Sequence, residues 1–209
     1  QGNAYSPLTH QSHLKAHLSF VCSYPNLYTA LSSPFSIDTS IASNCSMVLL
    51  SSSFGESLEL LLICTNVKPD ILLLDGFYPD FNIECAKLAK QRNIPVVIDG
   101  GSWKPQYSEL IPLSDVVICS SDFYPPGIFS IDELFLYFKN AGVQKSAVSR
   151  GGKSILYTAE TGRGEVEVNT AEVVDTLGAG DILHGAFCYY YLEYKFNFAK
   201  ALESASEVA

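Results

Sequence analysis

Apolar residues along this chain gather into short continuous runs, and between them lie segments with helical spacing. "PDILLLDG" (69–76), "IPVVIDGG" (94–101), "SDVVICSS" (114–121) and "KSAVSRGG" (145–152) are runs too short for helices, each bounded by turn formers. "DFNIECAKLAKQRN" (80–93) and "IDELFLYFKNAG" (131–142) instead place apolar positions three and four residues apart. A strand that is apolar at every position is covered on both faces. Such strands alternating with amphipathic helices predict βαβ units around a parallel sheet. The punctuation agrees: Asn93 stands before Pro95, Ser130 and Asp132 open a helix, and Gly142 closes it. "SILYTAETGRGEVEVN" (154–169) alternates about a Gly-bearing turn and predicts an antiparallel hairpin at the sheet edge, after which two helices finish the chain.

This regularity begins near residue 66. The first 55 residues hold only two charged side chains, Lys15 and Asp38, with many serines and little periodicity beyond a helix-like "HLKAHLSFV". The expected organisation is an N-terminal segment over 1–60 and an α/β core over 61–209. A start at Gln and an end inside the helix-like "ALESASEVA" suggest a piece of a longer protein.

Composition narrows the class. At 209 residues, with 47% hydrophobic and 17% charged, the chain suits one soluble domain with a single buried core. A net charge of −9 without a Lys/Arg cluster argues against a nucleic-acid partner, and Lys87, Lys90 and Arg92 read as a solvated helix face. No apolar stretch approaches the roughly 20 residues of a membrane span, so no membrane partner is expected. Cys22, Cys45, Cys64, Cys85, Cys119 and Cys188 form no CxxC pair. Cys64, Cys119 and Cys188 sit in apolar runs, which predicts buried thiols in a reduced, cytoplasmic setting.

Several motif-like stretches fail on inspection. "GGKS" (151–154) is no Walker A loop, because Ala147 stands where its first glycine belongs, and "GAGDIL" (178–183) ends in Leu183 where a dinucleotide fingerprint needs glycine. His10, His13 and His17 could share a helical face but have no acid or cysteine nearby to complete a metal site. No G-x-S-x-G elbow is present.

"VVDTLGAGDILHGAF" (173–187) is different. Gly178 and Gly180 lead directly into an apolar helix, leaving bare backbone where unpaired N–H groups and the helix dipole attract an anion, most often a phosphate. Asp181, at the same place, should repel that phosphate.

"DTLGAGD" (175–181) resembles the D-T-x-G-A-G-D signature of the PfkB (ribokinase-like) family of carbohydrate kinases. The resemblance implies that Gly178, Ala179 and Gly180 form an anion hole for the γ-phosphate of ATP, and that Asp181 is the base that deprotonates the sugar hydroxyl. It resolves the repulsion, since Asp181 then faces the hydroxyl while the amides face the phosphoryl oxygens. The helix dipole is expected to keep Asp181 ionised.

"AVSRGGKSILY" (147–157) is similar to the family's nucleotide-binding V-T-x-G-x-x-G, with Ser149 for threonine and Ser154 for the last glycine; Ser149, Gly151 and Thr176 would lie on the ATP side. The same stretch also reads as a plain strand–turn–strand. "PVVIDGGSWK" (95–104) matches a family strand carrying an aspartate and then a basic residue, so Asp99 and Lys104 are substrate-side candidates or turn anchors. Trp103 is either core or a lip of the cleft. Asp175 would belong to a monovalent-cation (K⁺) loop completed beyond residue 209, or would cap a turn.

Departures from the pattern are clear. In "ICSSDF" (118–123) Ser120 and Phe123 replace the asparagine and glutamate of the N-x-x-E motif associated with Mg²⁺, leaving Asp122 as the nearest carboxylate. "QGNAYS" (1–6) keeps only Gly2 and Asn3 of a sugar-binding motif, and residues 7–60 offer no counterpart of the family's β-stranded lid. Low charge in residues 1–55 points to an apolar face and self-association as a homodimer.

The expectation is therefore an α/β, ribokinase-like three-layer sandwich with a mainly parallel sheet, an antiparallel edge hairpin and a reduced or missing lid. Its function would be ATP- and Mg²⁺-dependent phosphorylation of a sugar. Leu177 is similar to ketohexokinase-like members, which inclines the substrate towards a ketose. The alternative is a catalytically silent paralogue acting as a nucleotide-binding or scaffolding module.

Overall fold

The computed structural model describes residues 47–50, 69–168 and 178–209. In chain order the elements are β1 (Met47–Leu50), β2 (Ile71–Leu74), α1 (Pro79–Gln91), β3 (Val96–Gly100), α2 (Tyr107–Leu110, continued by a 3₁₀ turn) and β4 (Val116–Ser120). There follow α3 (Ile131–Asn140), β5 (Lys145–Arg150), β6 (Lys153–Ala159), β7 (Gly162–Val166), α4 (Ala179–Glu193) and α5 (Phe198–Ser206). The seven strands form one sheet in sequence order, parallel from β1 to β5 and antiparallel from β5 to β7. The 1–60 segment thus contributes a strand, β1, which precedes the regular pattern.

Sequential order explains the layers. From β2 to β5 each parallel connection steps to the next strand in the same direction, and α1, α2 and α3 all fall on one face. Leu72, Leu74, Val96, Ile98, Val117, Cys119 and Val148 pack there, against Ile83, Ala86, Leu110, Leu134 and Phe138 among others. Alternate residues of the same strands, Ile71, Leu73, Val97, Val116, Ile118 and Ala147, point the other way and pack on α4 and α5 through Leu183, Phe187, Ala201 and Leu202. The pleat therefore needs apolar residues at every strand position, as the runs indicated. The result is the three-layer sandwich, with β6 and β7 as its edge hairpin.

Local signals hold where chemistry is local. The Ser130 hydroxyl accepts the Glu133 N–H at 3.2 Å, while Glu133 Oε2 accepts the Phe129 N–H at 2.8 Å, a reciprocal cap at the start of α3. Gly142, at φ +97°, ends it. Lys87 pairs with Glu84 at 2.7 Å on an exposed helix face, as expected. Cys85, Cys119 and Cys188 are buried; Cys22, Cys45, Cys64 and the three N-terminal histidines lie outside the described residues. Among the described residues no helix is long and apolar enough to cross a membrane.

Candidate active site at the C-terminal edge of the sheet

The parallel register brings strand ends together. Asp99 lies beside Ile118, and Ser120 beside Ser149, so Asp75, Asp99, Ser120 and Ser149 line one edge of the sheet. This carboxyl edge is where open α/β sheets bind ligands.

Two loops are tied together there. The Tyr107 hydroxyl donates to the Asp75 carbonyl at 2.6 Å and sits 3.0 Å from the Asp99 carbonyl, while Gln106 Nε2 donates to the Gly76 carbonyl at 2.6 Å. Gly76 has φ +70°, and a Cβ there would lie 2.7 Å from the Tyr107 ring, so only glycine lets the loops close. Lys104 Nζ lies 3.5 Å from the Asp75 carbonyl oxygen and 3.8 Å above the Phe77 ring.

Asp75 is not among the residues that the motifs single out, yet it is the most perturbed carboxylate here. Burial, with a contribution from the Asp99 charge, pushes it from 3.8 to about 6. Because the folded value lies above the unfolded one, this group's contribution to stability is fully present below about 3.8 and is lost as pH rises through about 6. Asp75→Asn, which keeps the acceptor for the Phe77 N–H, is expected to stabilise the protein by about 1–3 kcal/mol near neutrality and not at all in acid. Urea melts at the two pH values read the difference, and equal effects at both would refute it.

Helix α4 supplies the opposite wall. Its N-cap is Gly178, at φ +86°, and Cβ atoms placed on Gly178 or Gly180 would meet nothing within 4 Å. The first-turn amides of Ala179, Gly180 and Asp181 have no helical carbonyl to bond, and among the described residues nothing crowds the Cβ positions of Gly178 and Gly180, an arrangement that fits an anionic group.

His184, one turn on, locks this wall to the sheet. Its Nδ1 is 2.6 Å from the Gly180 carbonyl oxygen, and Nε2 is 3.0 Å from that of Ile118 and 3.5 Å from Asp99 Oδ1. Asp99, the glycine turn and Asp181 are thereby brought together. Although Asp181 is exposed, desolvation and then the Asp99 charge raise its carboxyl above the ordinary range, and His184 opposes them.

At the ends of β4 and β5, the Ser149 hydroxyl donates to the Cys119 carbonyl at 3.3 Å, and Gly151, at φ +63°, sits in the exposed β5–β6 turn. Arg150 is held by Ser154, at 2.8 Å to its carbonyl and 2.6 Å to its hydroxyl, and by Glu165 at 3.4 Å. Asp122 is exposed and donates its N–H to Ser120 Oγ at 3.1 Å, so Ser120 serves a turn. Phe123 is fully buried, and Trp103 packs on it with ring centroids 5.4 Å apart, which makes Trp103 part of the core wall. Gly2, Asn3, Asp175 and Thr176 lie outside the described residues. Asp75 had a usable signal: "LLDG" and "VIDG" end two neighbouring strands alike. His184 stands within the 173–187 stretch, but no motif gives it a role.

Carboxylates at parallel-strand ends, faced by a glycine-started helix, define an α/β ligand-binding domain with an anion cradle. The chain belongs to the pfkB family of carbohydrate kinases, whose pattern it matches over residues 51–209. It is 30% identical over 136 residues to a ribokinase of Arabidopsis thaliana, covering 60% of this chain and 36% of that protein. The structure of Arabidopsis thaliana ribokinase complexed with ribose and ATP superposes with a TM-score of 0.60 at 26% identity, over 72% of this chain and 51% of that one. Thermotoga maritima ribokinase gives 0.60 at 21% identity (78% and 60% covered), and an adenosine kinase from Schistosoma mansoni, in complex with 2-fluoroadenosine, 0.59 at 17% (73% and 52%). The chain thus spans about half or less of most of these relatives' lengths.

Proposed function

We propose that this chain carries the phosphoryl-transfer centre of an ATP-dependent kinase acting on a hydroxyl of a sugar or nucleoside. The observation that carries the reading is the start of α4, where open amides and a carboxylate occupy the same helical turn, opposite Asp99. Asp181 would accept the hydroxyl proton, and the amides from Gly178 to Gly180 would face the charge developing on the phosphoryl oxygens. Asp99 and Lys104 would orient the acceptor, and Ser149 and Gly151 would border the nucleotide, with Thr176 on the same side. Mg²⁺–ATP, when bound, would supply the phosphoryl group and a divalent charge; Asp122 is the nearest acid on that side. Asp175 is proposed for a monovalent cation, Gly2 and Asn3 for the sugar, and Leu177 inclines the acceptor to a ketose.

The test is ADP release from Mg²⁺–ATP with K⁺, screened over ketoses, aldoses and nucleosides. Acceptor-dependent turnover supports the kinase. ATP binding without turnover for any acceptor supports the second reading, a silent nucleotide-binding module, which the buried Phe123 at the glutamate position favours.

A further inference from the structure

His184 is 4% exposed, and its two ring nitrogens meet only oxygens. Nδ1 faces the Gly180 carbonyl at 2.6 Å; Nε2 faces the Ile118 carbonyl at 3.0 Å and the Asp99 carboxylate at 3.5 Å. Carbonyl oxygens can only accept. A neutral imidazole has one N–H, so in either tautomer the other nitrogen would point its lone pair at a carbonyl oxygen within hydrogen-bonding distance. A proton on Asp99 does not repair this. With Nδ1–H on Gly180, Nε2 could accept from a protonated Asp99 but would still confront the Ile118 oxygen. Only a ring protonated at both nitrogens satisfies all three neighbours.

We propose that His184 is held as an imidazolium and serves as the internal counter-charge of the carboxylates at the sheet edge, a positioning residue that fixes Asp99 against the first turn of α4 and favours ionised Asp181. The second half of this rests on the role of Asp181 given above. The surroundings explain the need. Asp99 faces His184 from β3, with Asp75 following β2, Asp181 on α4 itself, the Cys119 thiol on β4 and the Tyr107 hydroxyl on α2 all close enough to feel the Asp99 charge. Each of those four is pushed towards its protonated form by burial and by Asp99. Lys104, a cation near Asp75 and Asp99, lies against the Asp75 carbonyl and the Phe77 ring, and Arg150 at the end of β5 is held by Ser154 and Glu165. The His184 charge acts on Asp181 in the opposite sense to Asp99.

The charge can be read without any turnover. In a His10→Gln/His13→Gln/His17→Gln variant, His184 is the one remaining histidine. Nitrogen NMR of its ring should show both nitrogens protonated near neutrality; a single protonated nitrogen there would overturn the proposal. For the kinetic half, His184→Asn should move the acid limb of kcat/KM up by about 1–3 pH units, as expected when an opposite charge is removed from a carboxylate, with a smaller effect at alkaline pH. An unmoved limb would overturn the counter-charge role. If His184→Asn does not fold, the nitrogen spectrum still decides the protonation. Absence of turnover in the parent chain would count against the kinase reading, and the nitrogen spectrum alone would then decide the charge of His184.

Discussion

Asp181→Asn is expected to lower kcat for acceptor phosphorylation by about 10²–10⁴-fold, the usual worth of a positioned general base, while ATP binds as well as before or better. The substitution is close to isosteric and leaves the open amides from Gly178 to Gly180 in place, so the anion cradle survives. Removing a negative charge from a helix N-terminus that receives phosphates can only favour their binding. What disappears is the basic oxygen. Steady-state kinetics beside an ATP titration separates the two effects, and the predicted signature is a loss in kcat without a loss in nucleotide affinity. Retention of kcat within about tenfold would remove Asp181 from the role of base, because general-base effects are rarely that small. In the parent enzyme the raised Asp181 carboxyl should place the acid limb of kcat/KM above the pH expected for an ordinary aspartate.

Phe123→Ala is expected to destabilise the fold by about 3–5 kcal/mol, the cost of emptying a fully buried phenylalanine site. The ring has no solvent exposure and packs edge-on to Tyr107 at 4.9 Å and to Trp103 at 5.4 Å, with Phe138 at 6.1 Å. It also lies where a Cβ on Gly100 would come within 3.0 Å of it, so the turn after β3 is shaped around this ring. Loss of the ring therefore loosens the wall that carries Tyr107, and with it the tie between the Asp75 and Asp99 loops. A stability of about 5–15 kcal/mol is usual for a domain, so the variant should be marginal. Phe123→Glu, which would restore the motif's acidic residue, should fare worse, because it buries a carboxylate among aromatic rings with no partner. Urea melts followed by circular dichroism test both. A folded, active Phe123→Glu enzyme with stronger Mg²⁺ dependence would show that this wall can open to the site.

Much of the architecture was present in the linear pattern. "ILLL" and "VVIC" could only be strands covered on both faces, Ser130 and Gly142 bracketed a helix, and the Gly-bearing alternation at 154–169 became the β6–β7 hairpin. These signals depend on side-chain period and on φ preferences, which act within a few residues. The glycine-started helix was equally legible, because a helix start is built from one stretch of backbone. The family followed from that same stretch.

Other features depend on residues distant in sequence. Asp75, Asp99 and Asp181 meet because parallel register aligns the ends of β2 and β3 while α4 returns across the opposite face of the sheet, and nothing near any one of them announces the others. Spacing marks His184 as a polar residue on an apolar helix; only packing shows that both its nitrogens face oxygens. Phe123 has the look of a damaged motif in the linear chain, whereas in the fold its ring fills the core. The chain alone determined the elements, their layering and the helix-start cradle, since these follow from local backbone preference and alternation. Tertiary structure decided which charges share the sheet edge and in which direction burial moves Asp75 and Asp181, because burial and electrostatic coupling are set by neighbours that chain order does not reveal.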